Sequence, residues 1–159
     1  MNLTVIGVGT VKEKYLRDAC AEYEKRLSAY CRPSVIEVKD EKTPDGCSEH
    51  VEEQIRVREG KRILERIRDR SFVVALDIRG KKYDSPGLSA AHADWEVRAR
   101  GDLVFVIGGS LGLSEEVLRR ADQRISFSDL TFPHQLMRVI LLEQLYRSYR
   151  IRNHEPYHK

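Results

Sequence analysis

The sequence predicts a single α/β domain over residues 1–159, with a mainly parallel sheet and helices on both of its faces. Short apolar segments alternate along the chain with longer segments whose apolar residues recur at helical spacing. Two of the short segments, Phe72–Leu76 and Leu103–Ile107, are continuous apolar runs, which are typical of strands covered on both faces. The length of 159 residues fits one domain with a real core.

The first part of the chain predicts a strand, a helix and a second strand. Leu3–Val8 is apolar and predicts the opening strand. Pro33 stops the helix that follows, because proline cannot continue helical hydrogen bonding. Val35–Val38 predicts the second strand, and the polar segment Lys39–Ser48 predicts a loop. The apolar face of the helix consists of Leu16, Ala19, Cys20, Tyr23, Leu27 and Tyr30.

Glu49–Arg70 predicts a long surface helix that is disturbed at Gly60. Its acidic and basic residues interleave, as they do in helices stabilised by pairs four residues apart. This interleaving favours a solvated helix face over an RNA-binding patch. The apolar stripe consists of Val51, Ile55, Ile63, Leu64 and Ile67.

The next elements are a strand, a turn and a helix. Phe72–Leu76 predicts the third strand, and Asp77–Asp84 predicts a polar turn. Ser85 and Pro86 fit the N-cap and the first position of a helix, because a serine side chain caps free N–H groups and proline needs no N–H there. The core-facing positions of this helix are Leu88, Ala91 and Trp95.

The last elements repeat the alternation. Leu103–Ile107 predicts the fourth strand, and Ser114 begins a helix with acidic residues in its first turn, as the helix dipole prefers. Ile125–Phe127 predicts a short fifth strand. Pro133 opens a final helix that we expect to reach about Tyr149, followed by the tail Arg150–Lys159.

Composition narrows the class of protein further. Hydrophobic residues make up 41% of the chain and charged residues 33%, which excludes a disordered protein. We expect no membrane span and no signal peptide, and three widely spaced cysteines suggest reduced thiols in a cytoplasmic protein. The net charge of +3 permits a nucleic-acid partner without requiring one.

The glycine-rich segment Gly108–Gly112 is the most informative loop. It follows a buried strand, and ligands of parallel sheets bind beyond the carboxyl ends of the strands. The glycines allow a tight turn or a close approach to a ligand. The spacing matches neither a dinucleotide fingerprint nor a phosphate-binding P-loop. We interpret it as a ligand loop and not a bare turn.

A second unusual segment, Ile125–Gln135, alternates polar residues with large apolar ones. Such a wall suits an adenine-type ligand, because apolar side chains can cover the ring while backbone groups contact its edge. A loop packed beneath the last helix explains the same pattern equally well.

The tail contains a pattern that imitates a zinc protease. His154–His158 matches His-Glu-x-x-His, but Pro156 would break the helix that the two histidines require, and no later ligand follows. We therefore predict no metal. The tail is also rich in arginine, tyrosine and histidine, which can bind phosphate or an unpaired base. A frayed, solvated terminus is the other interpretation.

Specific motifs make the chain similar to a known family. They are Phe105–Gly112, Ser126–Ser128 followed by Thr131–Arg138, the closing Pro156–Lys159, and the opening segments Lys12–Tyr15 and Glu22–Leu27. With them the chain resembles, over essentially its whole length, the large-subunit ribosomal RNA methyltransferases of type H. These are minimal members of the SPOUT, or trefoil-knot, methyltransferase family.

The resemblance implies an activity, a cofactor and partners. The implied enzyme methylates N3 of a pseudouridine in the helix 69 loop of 23S rRNA, uses S-adenosylmethionine, and works as a homodimer on assembled ribosomes. The resemblance also implies a deep trefoil knot in the C-terminal part. The implied cofactor-binding residues are Leu76, Gly108, Phe127, Ser128, Asp129, Leu130, Thr131 and Phe132.

Substrate residues are expected in the tail and the last helix. We predict that Tyr157 and His158 hold the flipped base, with Arg150 or Arg138 on a nearby phosphate. Two alternatives stay open at this stage: a trefoil-knot methyltransferase acting on another RNA such as tRNA, and a ribosome-binding factor without catalysis. A nucleotide-dependent oxidoreductase is more remote, because the fingerprint glycines are missing.

Overall fold

The computed structural model describes all residues from Met1 to Lys159. Five strands and five helices alternate strictly along the chain. The strands are β1 (Asn2–Val8), β2 (Arg32–Val38), β3 (Phe72–Lys82), β4 (Asp102–Ile107) and β5 (Gln123–Ser126). The helices are α1 (Lys14–Leu27), α2 (Glu49–Leu64), α3 (Ser85–Ala99), α4 (Glu115–Arg120) and α5 (His134–Arg152).

The strands form one parallel sheet in the order β2-β1-β4-β3-β5. Alternate side chains of each strand face opposite sides. Leu3 and Phe105 belong to the core shared with α1, α3 and α5, whereas Ile6 and Val106 belong to the core beneath α2 and α4. The predicted class, a parallel α/β sheet with helices on both faces, is therefore confirmed.

Helix α5 lies in the middle of the larger layer, with α1 on one side and α3 on the other. Its inner face is buried through Leu141, Leu142, Leu145 and Tyr149. Burial of several large side chains along one face provides most of the stability of such a helix, because propensity alone is weak. The helix extends one turn beyond the predicted end at Tyr149.

Strand β3 differs most from the prediction, because it continues through the expected turn and reaches Lys82. Leu76 and Lys81 both pair with Ile125, so the chain bulges between them. Gly80 permits this close passage, since a Cβ atom there would lie 2.6 Å from the backbone of Ile125. A polar segment that is held at a sheet edge by backbone pairing leaves no apolar signal in the sequence.

Helix boundaries were predicted to within a few residues, with physical reasons for the differences. Helix α2 passes through Gly60 without a break and ends at Leu64, six residues early. After it, the carbonyl groups of Arg68, Asp69 and Ser71 accept hydrogen bonds from Arg120. Asp84, and not Ser85, caps α3 by accepting from the N–H of Gly87. Ser114 caps α4 as predicted.

Candidate functional site

A cavity of about 910 Å³ lies at the carboxyl edge of the sheet. Residues 76–79, in the bulged part of β3, and the segments that follow β4 and β5 form its walls together with the start of α5. The segments after β4 and β5 are the two that the sequence indicated as ligand-binding. The volume is that of a site for a ligand of drug or nucleoside size.

Apolar side chains cover the inner wall of the cavity. Leu76, Ile107 and Ile125 come from β3, β4 and β5, and Phe127 and Phe132 come from the loop before α5. Ile78 and Leu130 also line the cavity, and their side chains are 54% and 71% exposed. The cavity therefore has a closed apolar floor and an apolar rim that is open to solvent.

The glycine loop closes one side of the cavity. Gly112 has φ +81°, a conformation that side-chain-bearing residues rarely adopt. A Cβ atom at Gly108 would lie 2.8 Å from the carbonyl carbon of Gly112, which is backbone and cannot move aside. The loop is thus folded on itself at its ends, and a side chain at Gly108 would force it open.

Glu59 lies against this loop, because a Cβ atom at Gly109 would be 3.2 Å from its Oε1. The sequence did not point to this residue. Its side chain is only 4% exposed, and one carboxylate oxygen accepts a hydrogen bond of 3.0 Å from the N–H of Glu41. Burial raises the pKa of Glu59. A charge-rich helix predicts a solvated face, and nothing in its pattern distinguishes the one acid that turns inward.

The loop between β5 and α5 supplies five of the six residues expected there. Phe127, Ser128, Leu130, Thr131 and Phe132 line the cavity, as do Leu76 and Gly108. Asp129 does not line it: its carboxylate is 81% exposed and forms an ion pair with Lys82. The Ser128 hydroxyl accepts from the N–H of Leu130 at 3.0 Å, which shapes the turn.

Asp77 and His134 are among the titratable residues that line the cavity and that the sequence did not single out. Asp77 follows Leu76 directly, and its Oδ2 atom is buried without a hydrogen-bond partner. His134 begins α5, and burial together with the Arg138 charge lowers its pKa. The imidazole is therefore neutral at neutral pH. The sequence predicted a turn at Asp77 and the start of a helix at His134. Neither position indicates by itself that the side chain faces a cavity.

Arg138 is placed differently from the prediction. It is 2% exposed, its guanidinium pairs with Glu37 at 2.6 Å, and it donates to the carbonyl of Gly9 at 3.0 Å. Gly7 leaves the space that the guanidinium fills. Both terminal nitrogens of the guanidinium are already bound inside the protein. Arg138 therefore holds α5 to the ends of β1 and β2 and does not face an RNA phosphate.

Tyr157 and His158 lie together, on the outer side of α5. The Tyr157 hydroxyl donates to Glu143 at 3.0 Å, and its ring packs edge-on against Tyr146. Arg147 donates to Nδ1 of His158 at 3.1 Å. Because arginine can only donate, the proton of the neutral imidazole resides on Nε2. Burial raises the pKa of Tyr157, so its hydroxyl stays protonated.

The tail and the cavity are far apart within one chain. Met137 lines the cavity, whereas Tyr146 packs against Tyr157. At about 1.5 Å per residue, the helix between them spans about 14 Å. Arg150 lies near the tail, but it is bound to Glu155 and the carbonyl of Pro156. The structure therefore brings the expected cofactor residues together and separates them from the expected substrate residues.

The zinc-like pattern in the tail is not on a helix. Helix α5 ends at Arg152, and His154 has φ +55°. No group of three or more histidine, cysteine, aspartate or glutamate side chains is arranged to hold a metal ion.

All three cysteines are unpaired. None of the helices combines the length and the apolar character needed to span a bilayer.

Comparison with known proteins decides the family. Residues 1–158 match the family model described as predicted SPOUT methyltransferase. The chain belongs to the SPOUT methyltransferase family. This confirms both the resemblance seen in the sequence and the predicted class of enzyme, a methyltransferase.

Relatives of this SPOUT chain match it from end to end. It is 57% identical to ribosomal RNA large subunit methyltransferase H of Bifidobacterium animalis subsp. lactis and 55% identical to that of Clostridium tetani, with 100% of each chain covered. A solved structure of a probable methylase family protein from Haemophilus influenzae Rd KW20 matches with a TM-score of 0.56. That match covers 99% of this chain and 70% of the other, and its 11% identity shows the fold alone.

Proposed function

We propose that the protein transfers a methyl group from S-adenosylmethionine to N3 of a pseudouridine in the helix 69 loop of 23S rRNA, on assembled ribosomes in the cytoplasm. The observation that carries the proposal is the large cavity at the sheet edge, which is lined by segments on which the resemblance to the family rests, Gly108–Gly112 among them, in a chain that matches the family model over residues 1–158. Full-length relatives that are more than half identical carry the name of a ribosomal RNA methyltransferase.

The cavity fits S-adenosylmethionine in size and chemistry. Its apolar floor suits an adenine ring, and the tight glycine loop lets backbone groups approach a ligand closely. We propose that Leu76, Gly108 and the segment Phe127–Phe132 hold the cofactor, with Asp129 contributing backbone atoms and not its carboxylate. When bound, S-adenosylmethionine supplies a methyl group that its sulfonium already activates.

The protein must then position the acceptor nitrogen and manage one proton. Asp77 and His134 are among the cavity residues able to accept a proton, and the neutral state of His134 keeps its lone pair available. The Nε2–H of His158 is a donor, and we assign it to an oxygen of the base, where negative charge develops as N3 loses its proton. The Tyr157 hydroxyl donates to Glu143, so it can donate to the base only after it leaves that carboxylate.

A second copy of the chain is required for these groups to meet. If two α5 helices pack antiparallel about a two-fold axis, the tail end of one lies beside the cavity end of the other. Tyr15 and Leu136 are exposed apolar side chains, each near the beginning of a helix of the layer that contains α5. We therefore propose a homodimer in which each cavity is completed by the tail of the other copy. A deep trefoil knot in the C-terminal part is included in the proposal.

Methyl transfer with labelled S-adenosylmethionine tests the function. The purified protein is incubated with ribosomes that lack the modification, with free rRNA and with bulk tRNA, and labelled RNA is mapped to the nucleotide. We expect label at one pseudouridine of large-subunit RNA, and only from intact ribosomes.

The other outcomes contradict the proposal in distinguishable ways. Label in tRNA would keep the enzyme class and replace the substrate. Cofactor binding with no label in any RNA would indicate a ribosome-binding protein without catalysis.

A further inference from the structure

Arg150, Tyr30 and Glu155 form a closed hydrogen-bond cluster at the end of α5. The Tyr30 hydroxyl donates to Glu155 at 2.8 Å and accepts from Arg150 at 3.1 Å. Arg150 also contacts the Glu155 carboxylate directly. Each member therefore binds the other two, and the charges of Arg150 and Glu155 neutralise each other.

This cluster is attached to the backbone of the tail at two points. Arg150 donates to the carbonyl of Pro156 at 3.0 Å, and the N–H of Glu155 donates to the carbonyl of Arg150 at 2.9 Å. The next residue in the chain is Tyr157. A guanidinium can hold a carboxylate, a hydroxyl and a carbonyl at the same time because its donors point in fixed directions.

The cluster is anchored in turn to the core. The Tyr30 ring stacks on Tyr149, with centroids 5.0 Å apart and planes 8° apart, and Tyr149 is 4% exposed. Burial raises the pKa of Tyr30, so its hydroxyl keeps the proton that it donates to Glu155. The tail is thus tied to the turn between α1 and β2 and to α5, not free in solvent.

We propose that the Tyr30–Arg150–Glu155 cluster is a clamp that fixes the tail in the conformation in which Tyr157 and His158 meet the substrate base. Arg150 is then a positioning residue that acts through the tail and does not bind RNA phosphate. The inference rests on the proposed function, since it assumes that Tyr157 and His158 contact the base.

Four variants separate a clamp from a phosphate contact: Tyr30→Phe, Glu155→Gln, Arg150→Met and Arg150→Lys. Lysine keeps the positive charge but lacks the planar fork of donors that fits the three acceptors around Arg150. We expect each variant to lower kcat/KM for methyl transfer to ribosomes at least tenfold while the Kd for S-adenosylmethionine stays unchanged. The double variant Arg150→Met/Glu155→Gln should lose no more than either single variant, because the interaction is shared.

Two further measurements give the clamp its own readouts. Hydrogen exchange of residues 153–159 should accelerate in all four variants, and this readout does not depend on methyl transfer. The slope of log kcat/KM against log salt should equal that of the wild type in Arg150→Met, whereas loss of a phosphate contact would reduce it by about 1. Arg98→Met, which removes an exposed charge on α3, is the matched control.

The outcomes keep the two proposals apart. A wild-type protein that methylates no rRNA contradicts the proposed function, whatever the tail does. An active wild type whose Tyr30→Phe and Glu155→Gln variants turn over normally contradicts the clamp. Full activity of Arg150→Lys together with a reduced salt slope in Arg150→Met would assign Arg150 to RNA phosphate and would also contradict it.

Discussion

His92 shows at the scale of one residue how burial determines charge. Its side chain is 0% exposed, Nδ1 contacts the Ser148 hydroxyl at 2.8 Å, and Nε2 has no hydrogen-bond partner. Burial lowers its pKa to about 3, and the nearby charge of Arg152 acts in the same direction. Glu96 lies 3.6 Å away, but its carboxylate is occupied by Arg152 and Tyr149.

The free energy of unfolding should therefore depend on pH through His92. Below pH about 6.5 the unfolded chain takes up a proton that the folded chain takes up only near pH 3, so stability falls as pH decreases through this window. We expect the wild type to lose about 1 kcal/mol more than His92→Gln between pH 6 and pH 5. Urea unfolding at both pH values measures this difference, and equal losses in the two proteins would contradict it.

Arg138 illustrates what residue type alone cannot reveal. An arginine in an RNA-modifying enzyme suggests phosphate, but this one is buried against Glu37 and Gly9. Removing one partner of such a pair leaves unsatisfied polar groups, so we expect Arg138→Met to lower the unfolding free energy by about 3 kcal/mol. The exposed Arg98→Met should change it by less than about 0.5 kcal/mol. Near-wild-type thermal stability of Arg138→Met combined with weaker RNA binding would contradict this assignment.

At the scale of elements, apolar patterns together with helix-capping residues predicted every strand and every helix. The ends were less predictable. Helix α2 ends where Arg120 of α4 takes the following carbonyls, and β3 continues because β5 pairs with Lys81 and Lys82. Both causes are contacts between segments about 50 residues apart, and such contacts cannot be predicted from the local sequence.

The glycine loop provides the test at this scale. A Cβ atom at Gly108 would meet the backbone of Gly112 at 2.8 Å, so the loop must open in Gly108→Ala. We expect the affinity for S-adenosylmethionine to fall at least tenfold, as measured by titration calorimetry. In Gly101→Ala a positive φ is strained, but nothing lies within 4 Å of the added atom. That control should lose about 1 kcal/mol of stability and keep its affinity. Unchanged affinity in Gly108→Ala would show that the conformation of this loop does not affect binding of S-adenosylmethionine.

At the scale of the whole molecule, the sequence identified the cavity better than the substrate residues. The segments after β4 and β5 meet because parallel strands end at one edge, a rule that needs only the order of elements. Asp77, His134 and Glu59 were missed because their roles depend on which way single side chains turn. The separation of the tail from the cavity follows from the length of α5 and was not anticipated.

Because the tail and the cavity of one chain are far apart, mixed dimers give the most direct test of the proposed shared site. In that site, the cavity of one copy and the tail of the other act together. One copy carries Gly108→Val and the other carries Tyr157→Ala with His158→Ala. Each variant alone should transfer no methyl group, although the tail variant should still bind S-adenosylmethionine.

The two variants are co-expressed with different tags, and mixed dimers are purified through both tags. A mixed dimer contains one intact cavity facing one intact tail if the sites are shared, and we predict about half of the wild-type rate of methyl transfer to ribosomes. If each chain builds its site alone, both sites of the mixed dimer are defective. Absence of activity in mixed dimers that still bind S-adenosylmethionine would contradict the account.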